Sequence, residues 1–287
     1  MKWIEEAFYL RLPPGPPMQG DIWDGLPMPY SDPPVCLGVL ITPRCDLIHD
    51  KTPVINYIPL LSLEQFMNNQ GGFALLEQEY QKTKDTLRRN AEPIGLLQRI
   101  DLQLPVDDIL ASFEADPNAN ASELKLNVAR LKQCAHAFKD TEERLRRLDK
   151  LLKKSKLTAE EIAQFVPEKI SLRHKLDIAR NTVADLHFFP PHPPLLETAH
   201  VGLFREVVTC GIQFLYSAQS CISQPDWETL RQYRNTPDFQ ASQKKPERLL
   251  RLKSPFLESM MFRLGTLFGR VGVREIDHGD LSVLVRS

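Results

Sequence analysis

No run of apolar residues in this chain approaches the roughly 18 to 20 that a membrane-crossing helix requires. The opening Met1-Lys2-Trp3-Ile4-Glu5-Glu6 lacks the basic start and apolar centre of a signal peptide, so a cytoplasmic protein without a membrane partner is expected. Cysteine is sparse and scattered. The five residues at 36, 45, 134, 210 and 221 form no CxxC pair, which argues against a disulfide framework and against a ribbon-type zinc site. They read as free thiols, and neither a metal nor a cofactor is expected. A phosphate loop, a dinucleotide fingerprint, a zinc finger and a hydrolase nucleophile motif are all missing. The formal net charge of −1 removes any whole-molecule steering of nucleic acid.

What is present is an ordinary globular composition, 42% hydrophobic and 25% charged over 287 residues, enough to bury a sizeable core. The first 62 residues are rich in proline, with Pro13-Pro14-Gly15-Pro16-Pro17 and a second Pro-rich connection through Pro34. Proline at this density fixes φ and excludes helix, so short strands and ordered connections are expected. Val35 to Ile41 and Val54 to Pro59 carry the branched and aromatic residues that suit a pleated surface.

From Leu63 the character turns helical, with few turn residues among Leu, Glu, Lys, Arg and Ala. Residues 63–90 read as one or two helices and 101–120 as a loop with short helix. Leu124, Val128, Leu131, Ala135, Phe138, Leu145 and Leu152 recur at steps of three, four or seven, an apolar seam along a helix from about residue 122 to 154. Thr158-Ala159-Glu160-Glu161 is a capping box, and Ile162, Phe165, Leu172, Leu176, Ala179 and Val183 continue a second seam. The short connection near Lys156 predicts an antiparallel helical hairpin over 122–185, roughly 40 to 45 Å long at about 1.5 Å per residue.

Strand character returns at Leu186 to Phe189 and at His200 to Cys210. Residues 223–253 are polar and read as short helices or loops. Ser254-Pro255 then opens an apolar C-terminal core helix, Ser as N-cap and Pro at its first position. Two basic runs stand out: Arg144, Arg146, Arg147, Lys150, Lys153, Lys154 and Lys156, and Lys244, Lys245, Arg248, Arg251 and Lys253. Either could meet phosphate or an acidic partner, or merely keep a helix face solvated. Arg144, Arg147, Lys150, Lys154 and Lys156 are the candidate partner-binding set.

The candidate chemical site is residues 39–49, Val-Leu-Ile-Thr-Pro-Arg-Cys-Asp-Leu-Ile-His. A strand runs into a Thr-Pro step that cannot continue a central ladder, so Arg44, Cys45, Asp46 and His49 gather at a strand end. Cys45 and His49 could act as thiolate and base, with Arg44 favouring the thiolate and a carboxylate orienting the imidazole. The competing reading makes Cys45 a small buried residue and Asp46 a turn-fixing acceptor. A metal set drawn from Cys45, Asp46, His49 and one of His187, His192 or His200 would require convergence that the spacing does not guarantee.

Gly20-Asp21-Ile22-Trp23, the stretch Pro34-Val35-Cys36-Leu37-Gly38-Val39-Leu40-Ile41-Thr42, and Ile58-Pro59-Leu60-Leu61-Ser62 resemble strands of the MazF and PemK toxins, whose ribosome-independent members cut RNA. The resemblance covers about a fifth of the chain and implies an SH3-like barrel. Those toxins carry an Arg before the second strand's Pro and a Thr near the end of the third; here Pro33 and Leu61 occupy these places. The resemblance therefore points to the barrel more than to the nuclease. The Thr42–Leu47 turn resembles a motif of bacterial proteins linked to phage defence or toxin systems.

The expected fold is α+β: a small SH3-like β-barrel (1–62), interrupted by a long helical insertion (63–185) that contains the antiparallel hairpin, and completed by returning strands and a C-terminal core helix (186–287). Whether the chain is an enzyme is left open. The leading functional expectation is a non-catalytic adaptor or regulatory protein of a bacterial conflict system, with the hairpin docking a protein partner. The alternatives are an RNA-cleaving effector using Arg44, Asp46 and His49, and a Cys/His hydrolase at the same loop.

Overall fold

A computed structural model of the chain describes residues 8–11, 15–28, 34–49, 51–92, 128–234 and 236–269. The fold is α+β with an open antiparallel sheet. The chain divides into two compact units, one of residues 1–63 with 175–287 and the other of residues 64–174. The expected loop at 101–120 and the first residues of the expected 122–154 helix lie outside the described residues.

In the first unit, strands β1 (Tyr9–Arg11), β2 (Asp21–Pro27), β3 (Val35–Leu40), β4 (Val54–Ser62), β5 (Leu186–Phe189), β6 (His200–Leu203), β7 (Val208–Gly211) and β8 (Glu247–Leu252) form one sheet. Its order is β1-β8-β2-β3-β4-β6-β5, with β7 also on β4. Among the described residues β1 and β5 do not pair with each other, so the sheet stays open. The helices of this unit are α1 (Arg44–Ile48), α7 (Ile212–Ser220), α8 (Gln224–Tyr233), α9 (Pro237–Ala241) and α10 (Phe256–Gly269).

Alternation along the strands sends side chains to two separate cores. Trp23, Leu40, Ile55, Tyr57 and Cys210 face one side, against Phe214, Leu215, Ala218, Trp227 and Phe239 of α7 to α9. Ile22, Val39, Ile58, Leu60, Leu250 and Leu252 face the other, against Phe204 and against Met260 and Leu264 of α10. On the first side Trp227 stacks on Phe239 at 5.3 Å, with Phe214 edge-on to both. The Trp227 indole N–H donates to Ser242 O at 3.0 Å, and the Ser242 hydroxyl bridges Gly25 O and Lys244 O. The register of β2 against β3 shifts between Trp23 and Leu26. Gly25 sits there at φ +81°, where a Cβ would be strained and would meet Pro246 Cα at 3.3 Å.

Residues 223–253 contain β8, which pairs with both β1 and β2. Its charged residues had hidden it: Leu250 and Leu252 are buried, while Arg248 and Arg251 face the carboxylate of Asp21. The register shifts between Ile22 and Trp23 against β8, pairing Asp21 with Arg251 and Trp23 with Arg248. This shift brings two arginines three residues apart to one face of the strand. Asp21 is fully buried. Its Oδ1 accepts from Arg251 Nε at 2.5 Å, and its Oδ2 accepts from Arg248 Nη1 at 3.2 Å, Arg251 Nη2 at 3.1 Å and the Met18 N–H at 2.8 Å.

The outer edge of β5 is covered. Asn181, at φ 56°, accepts the Phe188 N–H on its Oδ1 at 2.8 Å, and Arg263 Nη2 of α10 donates to Leu186 O at 2.7 Å and Val183 O at 2.8 Å. Pairing with side chains removes the exposed ladder that would otherwise template another strand.

The second unit contains α3 (Gln70–Ala91), α4 (Val128–Leu152) and α5 (Ala159–Ala163). Helix α2 (Leu63–Asn68) begins at the boundary between the units, and α6 (Glu168–Ala179) crosses the other boundary. Helix α4 packs along α3. Asn90 Nδ2 bonds Ala137 O and Thr141 Oγ1, and Glu79 pairs with Arg144 at 3.7 Å, so the two helices run antiparallel. The long helix thus pairs with the segment before it, whereas the expected hairpin joined it to the segment after it. That later segment forms two helices, because Pro167 has no N–H to continue α5; Pro167 O instead accepts from Ile170 and Ser171 to start α6. The Thr158 capping box is present in full. Ile162, Phe165 and Val166 are buried, but Leu172 and Leu176, expected in the seam, are exposed. A Cβ on Gly72 would lie 2.6 Å from Ile162 Cδ1, so α5 approaches α3 where only glycine leaves room.

Asp21→Asn leaves two largely buried guanidiniums without a counter-charge, and should destabilise the protein by about 3–5 kcal/mol, read from its urea midpoint. His187 stacks on Phe204 with its Nδ1 buried and unpaired. Burial, with the Arg263 guanidinium adding, lowers its pKa to about 4. The unfolded chain, at about 6.5, therefore takes up a proton that the folded chain refuses. Stability is full above that value and falls as pH drops toward 4, by up to about 3 kcal/mol. His187→Gln should flatten the difference between urea midpoints at pH 7 and pH 5.

Candidate functional site

The end of β3 is tied down before the site begins. Ile41 N–H donates to Asn56 O at 2.9 Å, and the buried Thr42 hydroxyl accepts the Asn56 N–H at 2.7 Å. Pro43 then turns the chain out of the sheet. Asp46 N–H and Leu47 N–H both donate to Pro43 O, at 3.1 and 3.2 Å, and His49 N–H donates to Cys45 O at 3.3 Å. The one-turn helix α1 results. Pro43 provides no side-chain cap, and Leu47, at 3% exposure within the first core, anchors the turn.

With Leu47 inward, the other side chains turn outward. Arg44, Cys45, Ile48 and His49 are exposed and Asp46 is half-buried. A helical turn sets residues 44 with 48, and 45 with 49, side by side, so a cation, a thiol, an aliphatic group and an imidazole share one surface. The expected role of Cys45 as a buried apolar residue is overturned: Leu47, two residues on, fills the core instead. Among the described residues the Asp46 carboxylate takes no backbone amide; its Oδ1 accepts from Cys45 Sγ at 3.5 Å. The thiol's hydrogen-bond acceptor is thus a carboxylate, whereas a working thiolate is held by cations.

Three of the other thiols, Cys36, Cys210 and Cys221, are poor nucleophiles. Burial pushes Cys36 up to about 12, with Asp24 and Glu206 adding, and burial with Asp238 and Cys36 raises Cys210. Cys221 is raised by burial and by Asp226.

The histidines considered as metal ligands are distributed over other elements. His187 is buried on β5 between Phe189 and Phe204. His192 Nε2 accepts from Arg11 Nε at 2.7 Å. His200 on β6 bonds Thr198 O, and burial lowers its pKa. Among the described residues no group of three or more His, Cys, Asp or Glu is placed to hold a metal ion.

The basic run on α4 is largely neutralised within its own unit. Arg144 lies over the Phe165 ring at 5.2 Å, donates to Phe165 O and faces Glu79. Arg146 pairs with Glu142, Lys153 with Asp149, and Lys154 with Glu161, while Arg147 reaches Glu143 only at 3.9 Å. Lys150 and Lys156 are exposed. In the second basic run, Lys244 pairs with Asp24 at 2.9 Å, and Arg248 and Arg251 are the buried partners of Asp21 described above. Their burial went unforeseen; the signal for it was the Leu250/Leu252 alternation between charges. Set against family models, characterised proteins and solved structures, the chain returns no match.

Proposed function

We propose that this chain is a non-catalytic protein-binding or adaptor protein, acting as a regulatory component of a bacterial conflict system of the phage-defence or toxin type. The observation that carries the binding reading is the face of α1. Arg44, Cys45, Ile48 and His49 stand in solvent on one turn, Ile48 at 46% exposure, with the turn fixed below by Leu47 and Thr42. A rigid turn that presents a cation and an exposed aliphatic side chain together suits recognition of a partner surface. Catalysis by Cys45 would instead call for a sheltered thiolate held by positive charge. The β2-β3-β4 meander with β8 beside β2 supports an SH3-like core as the scaffold. The antiparallel α3–α4 pair supports a helical docking arm, with Arg147, Lys150 and Lys156 at its surface. The conflict-system context rests on the resemblances of the 20–62 strands and of the Thr42–Leu47 turn.

Affinity capture from the native host tests this reading. A stoichiometric protein partner should be retained by wild type and by Cys45→Ala, and lost at least about tenfold in Ile48→Asp and Arg44→Glu variants whose thermal midpoints match wild type. Loss of function in Cys45→Ala with the partner still bound would favour a thiol enzyme. Co-purification of RNA without a protein would favour the RNA-cleaving effector.

A further inference from the structure

The Asp21 cluster leaves charge unbalanced. One carboxylate serves two guanidiniums, and both are largely removed from water, at 12% side-chain exposure for Arg248 and 18% for Arg251. Arg248 also donates to Gly15 O at 2.8 Å and Pro16 O at 2.9 Å. Carbonyl dipoles ease its burial but carry no net charge. Among the described residues one buried positive charge therefore has no anion, and burying such a charge costs free energy that a bound anion would offset.

That charge borders a cleft of about 420 Å³, whose lining includes Trp23, Leu195, Ala218, Lys245 and Arg248. Its volume lies in the range of small-molecule sites. Trp23, cross-strand from Arg248, is 1% exposed, and its ring lies 5.8 Å from the guanidinium carbon. Its indole N–H is buried with no acceptor, whereas the Trp227 indole N–H is satisfied by Ser242 O. An unsatisfied buried donor is uncommon and marks a place where an acceptor is missing. Lys245, half-buried on this lining, adds an ammonium that makes no ion pair within 4 Å among the described residues, although its field also reaches Asp226. Glu247, the acid on this lining, is exposed to solvent at the rim. Leu195 and Ala218 supply apolar wall.

We infer that this cleft binds a small organic carboxylate, its anionic head toward Lys245, Arg248 and the Trp23 indole N–H and its apolar body against Leu195 and Ala218. The apolar wall favours a carboxylate on a hydrocarbon or aromatic body over a bare inorganic anion. The site is separate from the α1 face, so its occupation and partner capture are independent measurements.

Calorimetric titration of the full chain with 3-phenylpropionate, its neutral amide and inorganic phosphate tests the assignment. The carboxylate should bind at least about tenfold more tightly than either of the others, a difference of about 1.4 kcal/mol. Lys245→Met should weaken it about tenfold, and Leu195→Trp, which fills the cleft from a half-buried position, should abolish it. Both variants should keep the wild-type thermal midpoint. Equal binding of the amide, binding unchanged in both variants, or no binding of the carboxylate at millimolar concentration would each overturn the assignment.

Discussion

The carboxylate of Asp21, buried between the guanidiniums of Arg248 and Arg251, is the constraint on which the sheet's first half depends. It joins residues some 230 positions apart, the two ends of the chain's strand-forming segments. Bringing them together costs considerable loop-closure entropy, and a charged cluster out of water is selective about geometry: a misregistered β8 would leave unpaired charges inside. The irregular register between β2 and β8 follows, since only with the shift do Arg248 and Arg251 both face Asp21. Once β8 is fixed, β1 can pair on its other side, and Leu250 and Leu252 turn to the opposite core.

From that register the two-sided burial of the sheet follows. One face is covered by α7 to α9 through Trp227, Phe214 and Phe239, the other by α10 through Met260 and Leu264. A central strand such as β4, buried on both sides, needs the near-continuous apolar sequence it has, Ile55 to Leu61. The α1 turn is built on this rigid base. Because β3 ends against Asn56 and Leu47 is drawn into the first core, Arg44, Cys45, Ile48 and His49 are left facing solvent. The exposed face of the turn is a by-product of anchoring.

Much of the local structure was legible. The Leu186–Phe189 strand and the capping box at Thr158 rest on signals within a few residues and lie where those signals put them; the apolar helix after Ser254-Pro255 is present too, but begins at Phe256, one residue beyond its expected start. The misses were of another kind. Strand β8 reads as a polar, basic segment because half its side chains are charged, and nothing local says that Asp21 waits to neutralise them. Leu172 and Leu176 continue a helical seam in sequence but are exposed, because Pro167 resets the helix and with it the face turned inward. Cys45 looked like core because it ends a strand-like run, yet the turn at Pro43 rotates it outward and gives Leu47 its place.

The sequence by itself determined the α+β class, most strand and helix locations and the turn that carries Arg44, Cys45, Asp46 and His49, because periodicity, proline and capping act through neighbours in the chain. Tertiary structure alone decided which side chains share a site. It partnered α4 with α3, opened the sheet, paired Asp21 with two distant arginines and left Trp23 at the edge of a charged cleft. Those outcomes turn on burial and charge compensation between residues far apart in sequence, and no local pattern encodes them.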